Sequence, residues 1–519
     1  MITKWMTGGA ILALSAGAAM ADFSLTILHT NDFHARFEPI SRFDSGCGED
    51  DNLEGKCFGG SARMQTAIET AKARTDNWLL VDGGDQFQGT LFYTYYKGAL
   101  AAEMMNKMGY DAMTVGNHEF DDGPEVLRDF VNATKFPILM SNADISGEPL
   151  LTGAIQKSTV IAKGGERIGL IGLTPQDTDE LASPGKNITF SDPAGAVQTE
   201  VDKLTADGVN KIVVLSHSGL RVDMEVAEKT TGVDVIVGGH DNSLLSNVNP
   251  KAKGPYPVMV GETAIVQAYA YGKYLGELKV VFDDEGVVAS ATGEPILLDR
   301  HVTEDDDTKA RVGEMAGPLD EIRNKVVAQA ADAIDGSREN CRAGECEMGN
   351  LVADAMLQRV KDQGIDIALA NGGGLRASID AGEVLMGEVL TVLPFQNTLS
   401  TFQTDGKTIV AALENGVSKL EDGAGRFPQV AGMSYAFDAS MEAGSRISDV
   451  MVGGAPIEMD KVYGVVSNNY VRNGGDGYKM FLDAANAYDF GPDLADVVAE
   501  YMAEAGPVDV QLDGRITKK

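Results

Sequence analysis

The sequence predicts an α/β fold in two domains, and three observations carry that reading. β-type runs alternate with helix-type runs from about residue 24 to about residue 298. The chain has 519 residues at 44% hydrophobic content, more than one ordinary core holds. A charged stretch, Thr303-Glu304-Asp305-Asp306-Asp307-Thr308, then separates that alternating part from a second mixed part.

At the amino terminus Lys4 precedes an apolar stretch over residues 8–19, and Ala19-Met20-Ala21 supplies the small residues a signal peptidase accepts. Residues 1–21 read as a removed secretory signal. A retained anchor needs roughly 20 consecutive apolar residues, and this run is shorter and broken by Ser15 and glycines. The expected location is periplasmic or secreted, with no membrane association after signal removal. The polar end, Gly514-Arg515-Ile516-Thr517-Lys518-Lys519, carries no lipid-anchor signal of the hydrophobic-tail kind.

The first domain is placed at 22–302, with strands expected over 25–28, 78–81, 211–215 and 233–237. Helices are expected over 61–73, where Met64, Ala67, Ile68 and Ala71 share a face, and over 99–108, where Leu100, Met104 and Met108 do. Residues 303–327 read as a connector helix that Thr303 or Asp305 can cap. The second domain, 328–519, mixes helices over 348–360 and 408–418 with strands over 366–370 and 462–466.

A formal charge of −34 makes nucleic acid a poor partner, because like charges repel and no basic stripe interrupts the acidic background. An anionic small substrate is compatible if metals and a few arginines reverse the field locally. The oligomeric state is not encoded in any feature of the chain. Cys47 with Cys57 and Cys341 with Cys346 form two local pairs, and an oxidising compartment favours two short-loop disulfides over a four-thiolate zinc site.

Five motifs each follow a β-type run: Asp32-Phe33-His34, Gly84-Asp85, Gly116-Asn117-His118-Glu119, Ser216-His217 and Gly239-His240. They hold four of the six histidines. Oxygen and imidazole donors at the carboxyl ends of neighbouring strands gather on the rim where open α/β sheets bind ligands, as a two-metal hydrolytic centre requires. Such donors suit Zn²⁺, Mn²⁺ or Co²⁺ and do not by themselves choose among the three.

These motifs resemble the calcineurin-type metallophosphoesterase signature. More narrowly, Leu28-His29-Thr30-Asn31-Asp32-Phe33-His34, Gly84-Asp85-Gln86-Phe87-Gln88-Gly89-Thr90, Tyr96-Lys97-Gly98, Gly116-Asn117-His118-Glu119-Phe120-Asp121 and Gly238-Gly239-His240-Asp241-Asn242 resemble the 5'-nucleotidase family, its animal ecto-enzymes before its periplasmic UDP-sugar hydrolases. The resemblance implies an amino-terminal metallophosphoesterase α/β sandwich and a carboxyl-terminal α/β nucleotide-binding domain, joined by a helix. It implies two divalent ions, one held by Asp32 and His34, the other by Asn117, His217 and His240, with Asp85 between them. It assigns His118, oriented by Asp121, to stabilising the transferring phosphoryl group. Some bacterial relatives use glutamine as a further ligand where this chain has Asn242, so Asn242 is either a ligand or a phosphate contact.

In the second domain the resemblance implies a substrate site of Arg342, Asn371, Arg376, Phe395, Tyr470 and Asp476. The chemistry is coherent: guanidinium forks pair with phosphate oxygens, Phe395 and Tyr470 can sandwich a purine, and Asp476 can accept from ribose hydroxyls. Phenylalanine is usual in the family where this chain has Tyr470, whose added hydroxyl has no predictable partner. The reading is an exported two-metal 5'-nucleotidase that hydrolyses nucleoside 5'-monophosphates with a metal-activated water. Its rivals are a nucleotide pyrophosphohydrolase or UDP-sugar hydrolase, a 2',3'-cyclic-nucleotide phosphodiesterase and, in another class, a nucleotide-binding protein without catalysis.

Overall fold

Two sheets packed face to face form the amino-terminal half of the computed structural model, which describes residues 22–519 except 43, 45, 284, 489 and 490. The expected signal at 1–21 lies outside the described residues. One sheet has seven strands and contains β1 (Phe23–Thr30), β2 (Trp78–Asp82) and β3 (Ala112–Thr114) as parallel neighbours. The other has six and contains β4 (Ile212–Ser216) beside β5 (Val235–Val237), also parallel.

The alternation in β1 explains the layering. Leu25 and Ile27 face the opposite sheet together with Leu79, Val81, Val213, Leu215, Val235 and Val237 in one buried core. Leu28 and Leu80 point the other way and pack with Met64, Ile68, Leu100 and Met104 of the helices Ser61–Lys72 and Ala99–Met108. A third core lies outside the second sheet, where Val201, Leu204 and Val226 of helices Pro193–Ala206 and Leu220–Lys229 cover Val214 and Ile236. The result is an α/β sandwich with helices on both outer faces.

The stretch 303–327 is not one helix. Asp305 caps a helix Asp306–Ala316 by accepting from the Thr308 amide at 2.8 Å, a 3₁₀ turn follows at Gly317–Leu319, and a short helix Asp320–Arg323 leads into a strand at Val326–Ala330. Pro318 lacks the amide that a continuing α-helix would use, which accounts for the break.

The carboxyl-terminal half centres on a five-stranded sheet that includes β6 (Ile367–Asn371) and, parallel to it, β7 (Val462–Asn468). Helices Glu347–Arg359 and Leu494–Ala505 bury Met348, Leu351, Val352, Val498 and Met502 against one face. Both expected disulfides form, Cys47–Cys57 and Cys341–Cys346, with Cα atoms 5.9 and 5.1 Å apart. Among the described residues no helix is long and apolar enough to cross a membrane.

Candidate active site

All five motifs lie just beyond the carboxyl ends of β1 to β5, and their donors converge. Asp32, His34 and Asp85 form one group and Asp85, His217 and His240 a second, the ligand atoms of each within 4.8 Å of one another, so Asp85 belongs to both. Asn117 joins the second group through Oδ1, 3.0 Å from His240 Nδ1.

Close approach at this rim depends on backbone that few residues adopt. Asp32, His34, Asp85, His240 and Asn242 all have positive φ, between 50° and 76°, a conformation costing of order 1–3 kcal/mol for non-glycine residues and typical of functional sites. Gly116 is required by space: a Cβ there would fall 2.2 Å from Asp85 Oδ1.

The hydrogen bonds fix which atoms face the centre. His34 Nδ1 lies 2.8 Å from the Phe87 carbonyl and His217 Nδ1 2.6 Å from the Gly83 carbonyl. Carbonyls only accept, so both rings donate through Nδ1 and turn Nε2 inward, the orientation a metal ligand needs. Asp32 Oδ2 accepts from the His240 amide at 2.9 Å and from Asn31 Nδ2 at 2.8 Å, while Asp32 Oδ1 is buried without a hydrogen-bond partner. His217 Nε2 lies 2.9 Å from Asp85 Oδ2 but without hydrogen-bond alignment. Burial disfavours charge on His217, yet the Asp85 and Asp32 carboxylates prevail and push the imidazole up to about 10. An orphaned inward oxygen on Asp32 and the inward-facing nitrogens fit a pair of divalent cations.

Glu119 holds the rim together. Its buried carboxylate accepts from the amides of Asp85, Gln86, Phe87 and Gly116 at 2.7 to 3.2 Å, tying the loop after β2 to the loop after β3. Its place in Gly116-Asn117-His118-Glu119 was the available signal, but a carboxylate in such a motif reads first as a ligand. Next to it, His118 Nδ1 lies 2.7 Å from Asp121 Oδ2, and the His118 amide donates to Asp85 Oδ1 at 2.9 Å.

The carboxyl-terminal half closes over this rim and leaves a cleft of about 1620 Å³ lined by residues of both halves. Arg376, three residues past Gly373 in the glycine turn after β6, places Nη2 3.0 Å from His34 Nε2 and Nη1 3.5 Å from His118 Nε2. Arg342, Asn371, Phe395, Tyr470 and Asp476 also line the cleft. Asn371 Nδ2 donates to Asp476 Oδ2 at 2.7 Å, and the Tyr470 hydroxyl donates to the Glu180 carbonyl across the cleft at 2.9 Å. Asn242 does not line the cleft: it is buried beside Tyr271, its Nδ2 3.5 Å from that hydroxyl and its Oδ1 without a partner. Arg338, which in the sequence is one more arginine in a polar turn, lines the cleft and donates to the His240 carbonyl at 3.1 Å.

Two family descriptions match the chain, calcineurin-like phosphoesterase over residues 25–243 and 5'-nucleotidase, C-terminal domain over residues 326–483. A mouse 5'-nucleotidase is 39% identical, with 99% of this chain and 94% of that protein covered. The chain belongs to the 5'-nucleotidase family. A solved structure of a 5'-nucleotidase precursor from Thermus thermophilus superposes with a TM-score of 0.91 at 42% identity, covering 96% of this chain and 99% of that one. A Haemophilus influenzae NAD nucleotidase superposes with a TM-score of 0.58 at 25% identity, covering 96% and 99%. As a member of the 5'-nucleotidase family, the chain is a metal-dependent phosphoesterase with a two-domain α/β architecture.

Proposed function

We propose that this chain is an exported two-metal 5'-nucleotidase that hydrolyses nucleoside 5'-monophosphates of the AMP type to nucleoside and phosphate. The single observation that carries the reading is the meeting of the two carboxylate–imidazole groups with Arg376 and Phe395 of the opposite half within one cleft. Two disulfides support an oxidising destination.

In this reading Asp32 and His34 would hold one ion and Asn117, His217 and His240 the other, with Asp85 available to both, zinc being the first choice and manganese or cobalt alternatives. The ions, when bound, supply Lewis acidity, an acidified water and a clamp on phosphoryl oxygens. Arg376 and Arg342 gather the phosphate by paired donors. His118, held by Asp121, hydrogen-bonds the phosphoryl oxygens as charge develops there. A water oxygen bonds to phosphorus, the bond from phosphorus to the 5' oxygen breaks, and that oxygen leaves with a proton as the nucleoside hydroxyl. Phe395 and Tyr470 take the base, and Asp476 the ribose hydroxyls. The halves 22–302 and 328–519 act as domains that turn about 303–327 to admit substrate.

A second reading, hydrolysis of a pyrophosphate bond in a larger nucleotide, draws on cleft size: about 1620 Å³ exceeds the roughly 300–1,000 Å³ of ordinary small-ligand pockets. Phosphate release from AMP, GMP, CMP, UMP, ADP, ATP, UDP-glucose and cyclic nucleotides, with and without chelator and with metal analysis, tests both. Absence of chelator-sensitive phosphate release from every monophosphate would overturn the first.

A further inference from the structure

Resting on the nucleotidase reading, we infer that the short helix Thr178–Leu181 of the metal-bearing half is a third wall of the nucleoside pocket, in which Glu180 positions the Tyr470 ring. That helix belongs to the sandwich, yet its contacts run to the opposite half. The Tyr470 hydroxyl donates to the Glu180 carbonyl at 2.9 Å and accepts from the Asp476 amide at 3.1 Å. The Glu180 carboxylate meets Lys479 Nζ at 2.8 Å and Arg426 Nη2 at 3.3 Å. One turn earlier, Asp177 Oδ2 pairs with Lys419 Nζ at 2.6 Å.

These contacts add to the restraints of the ring's own half, where Gly475 lies against its face and Asp476 meets its hydroxyl. Gly475 lies against the Tyr470 ring so closely that a Cβ there would fall 2.4 Å from Cε2. Sliding toward Gly475 is therefore blocked, and swinging away is opposed by the hydroxyl's bonds to Asp476 on its own side and to Glu180 across the cleft. Arg426, almost fully buried, also donates to Asn415 Oδ1 at 3.2 Å, so its pairing with Glu180 ties the helix Gly406–Gly416 to the metal-bearing half. Exposed ion pairs contribute little singly, but here a buried guanidinium, a half-buried carboxylate and a shared hydroxyl act on one ring. Base recognition is completed only when the two halves are together, because half of what orients the ring belongs to the metal-bearing half.

The test uses the full chain loaded with metal and the variants Tyr470→Phe, Glu180→Gln and their combination. Adenosine binding is measured by calorimetry and inorganic phosphate by its inhibition constant, with kcat/KM for AMP and for ribose 5-phosphate, which lacks the base. Losing the hydroxyl's bond predicts about fivefold weaker adenosine binding in Tyr470→Phe, whereas Glu180→Gln keeps the backbone carbonyl and loses only the charge that seats it against Lys479 and Arg426, which predicts about threefold. The double variant should fall short of the product, since the Glu180 side chain acts on the ring only through the carbonyl that the hydroxyl meets. Phosphate inhibition and ribose 5-phosphate turnover should stay within about twofold. Unchanged adenosine binding in both single variants overturns the inference, as does equal weakening of phosphate, which would make the helix a general clamp. Failure of the unmodified chain to release phosphate from AMP would instead overturn the nucleotidase reading, and the adenosine titrations distinguish the two failures.

Discussion

The ring of Phe395 lies stacked on the imidazole of His118, centroids 5.5 Å apart and planes 25° from parallel. One side chain belongs to the metal-bearing half and the other to the opposite half, and Arg376 caps the pair with its guanidinium 5.5 Å from the Phe395 centroid. The stack joins the residue proposed to stabilise the phosphoryl group to the residue proposed to hold the base, so substitutions at the two positions should separate in kinetics.

His118→Ala removes the donor paired with Asp121 but none of the proposed metal ligands. It should lower kcat by at least about a hundredfold while metal content stays at the unmodified level. Elemental analysis alongside steady-state kinetics checks this, and wild-type turnover in the variant refutes the role.

Phe395→Ala should act chiefly on KM for AMP, raising it about tenfold, as expected for loss of one stacking surface. Turnover of ribose 5-phosphate should change far less. An unaltered KM for AMP counts against the stacking role.

Because Asp85 belongs to both ligand groups, Asp85→Asn should deplete both ions, whereas His34→Ala should lose about one of the two that such a centre holds. Metal counting after dialysis distinguishes the cases. Equal losses in the two variants would contradict a shared carboxylate. Chelation of the unmodified protein should abolish phosphate release and lower Tm, with recovery of both on adding zinc, manganese or cobalt.

Asp234 gives a pH-dependent prediction away from the centre. Its carboxylate accepts from the Ile212 amide at 2.7 Å, and burial pushes it up to about 7 although that hydrogen bond and Lys211 oppose the shift. The folded chain therefore keeps a proton that the unfolded chain releases above the usual carboxylate range. Stability from this group is complete below about pH 4 and is lost as pH rises through 7. Asp234→Asn keeps an acceptor but does not titrate, so its Tm relative to the unmodified chain should be more favourable at pH 8 than at pH 5. A constant difference would show that the carboxyl is not shifted.

Much of this arrangement was legible in the chain because it follows from period and position. The apolar faces of Ser61–Lys72 and Ala99–Met108 and the placement of Asp32, Asp85, Asn117, His217 and His240 after β-runs depend only on local pattern. What was hidden depends on partners distant in sequence. Glu180 and Asp177 have the look of solvent-facing acids until Lys479, Arg426 and Lys419 arrive from the other half. Tyr470 carried a hydroxyl with no assignable acceptor because that acceptor is a backbone carbonyl 290 residues away. Asn242 shared a motif with His240, yet its backbone turns it beneath the rim. Pro318 interrupts a stretch whose surrounding composition presents it as one helix.

Four amide hydrogens converge on the carboxylate of Glu119. In many nucleotide enzymes such a concave set of amides is the cradle that receives phosphate itself. Here that cradle is turned inward and already filled by the chain's own acid. Those four donors are thus closed to an incoming anion, which leaves the guanidinium and imidazole groups of the cleft as the protein donors proposed to meet phosphate. The backbone dipoles at this part of the rim are accordingly committed to holding its shape, and what meets the ligand there is side chain.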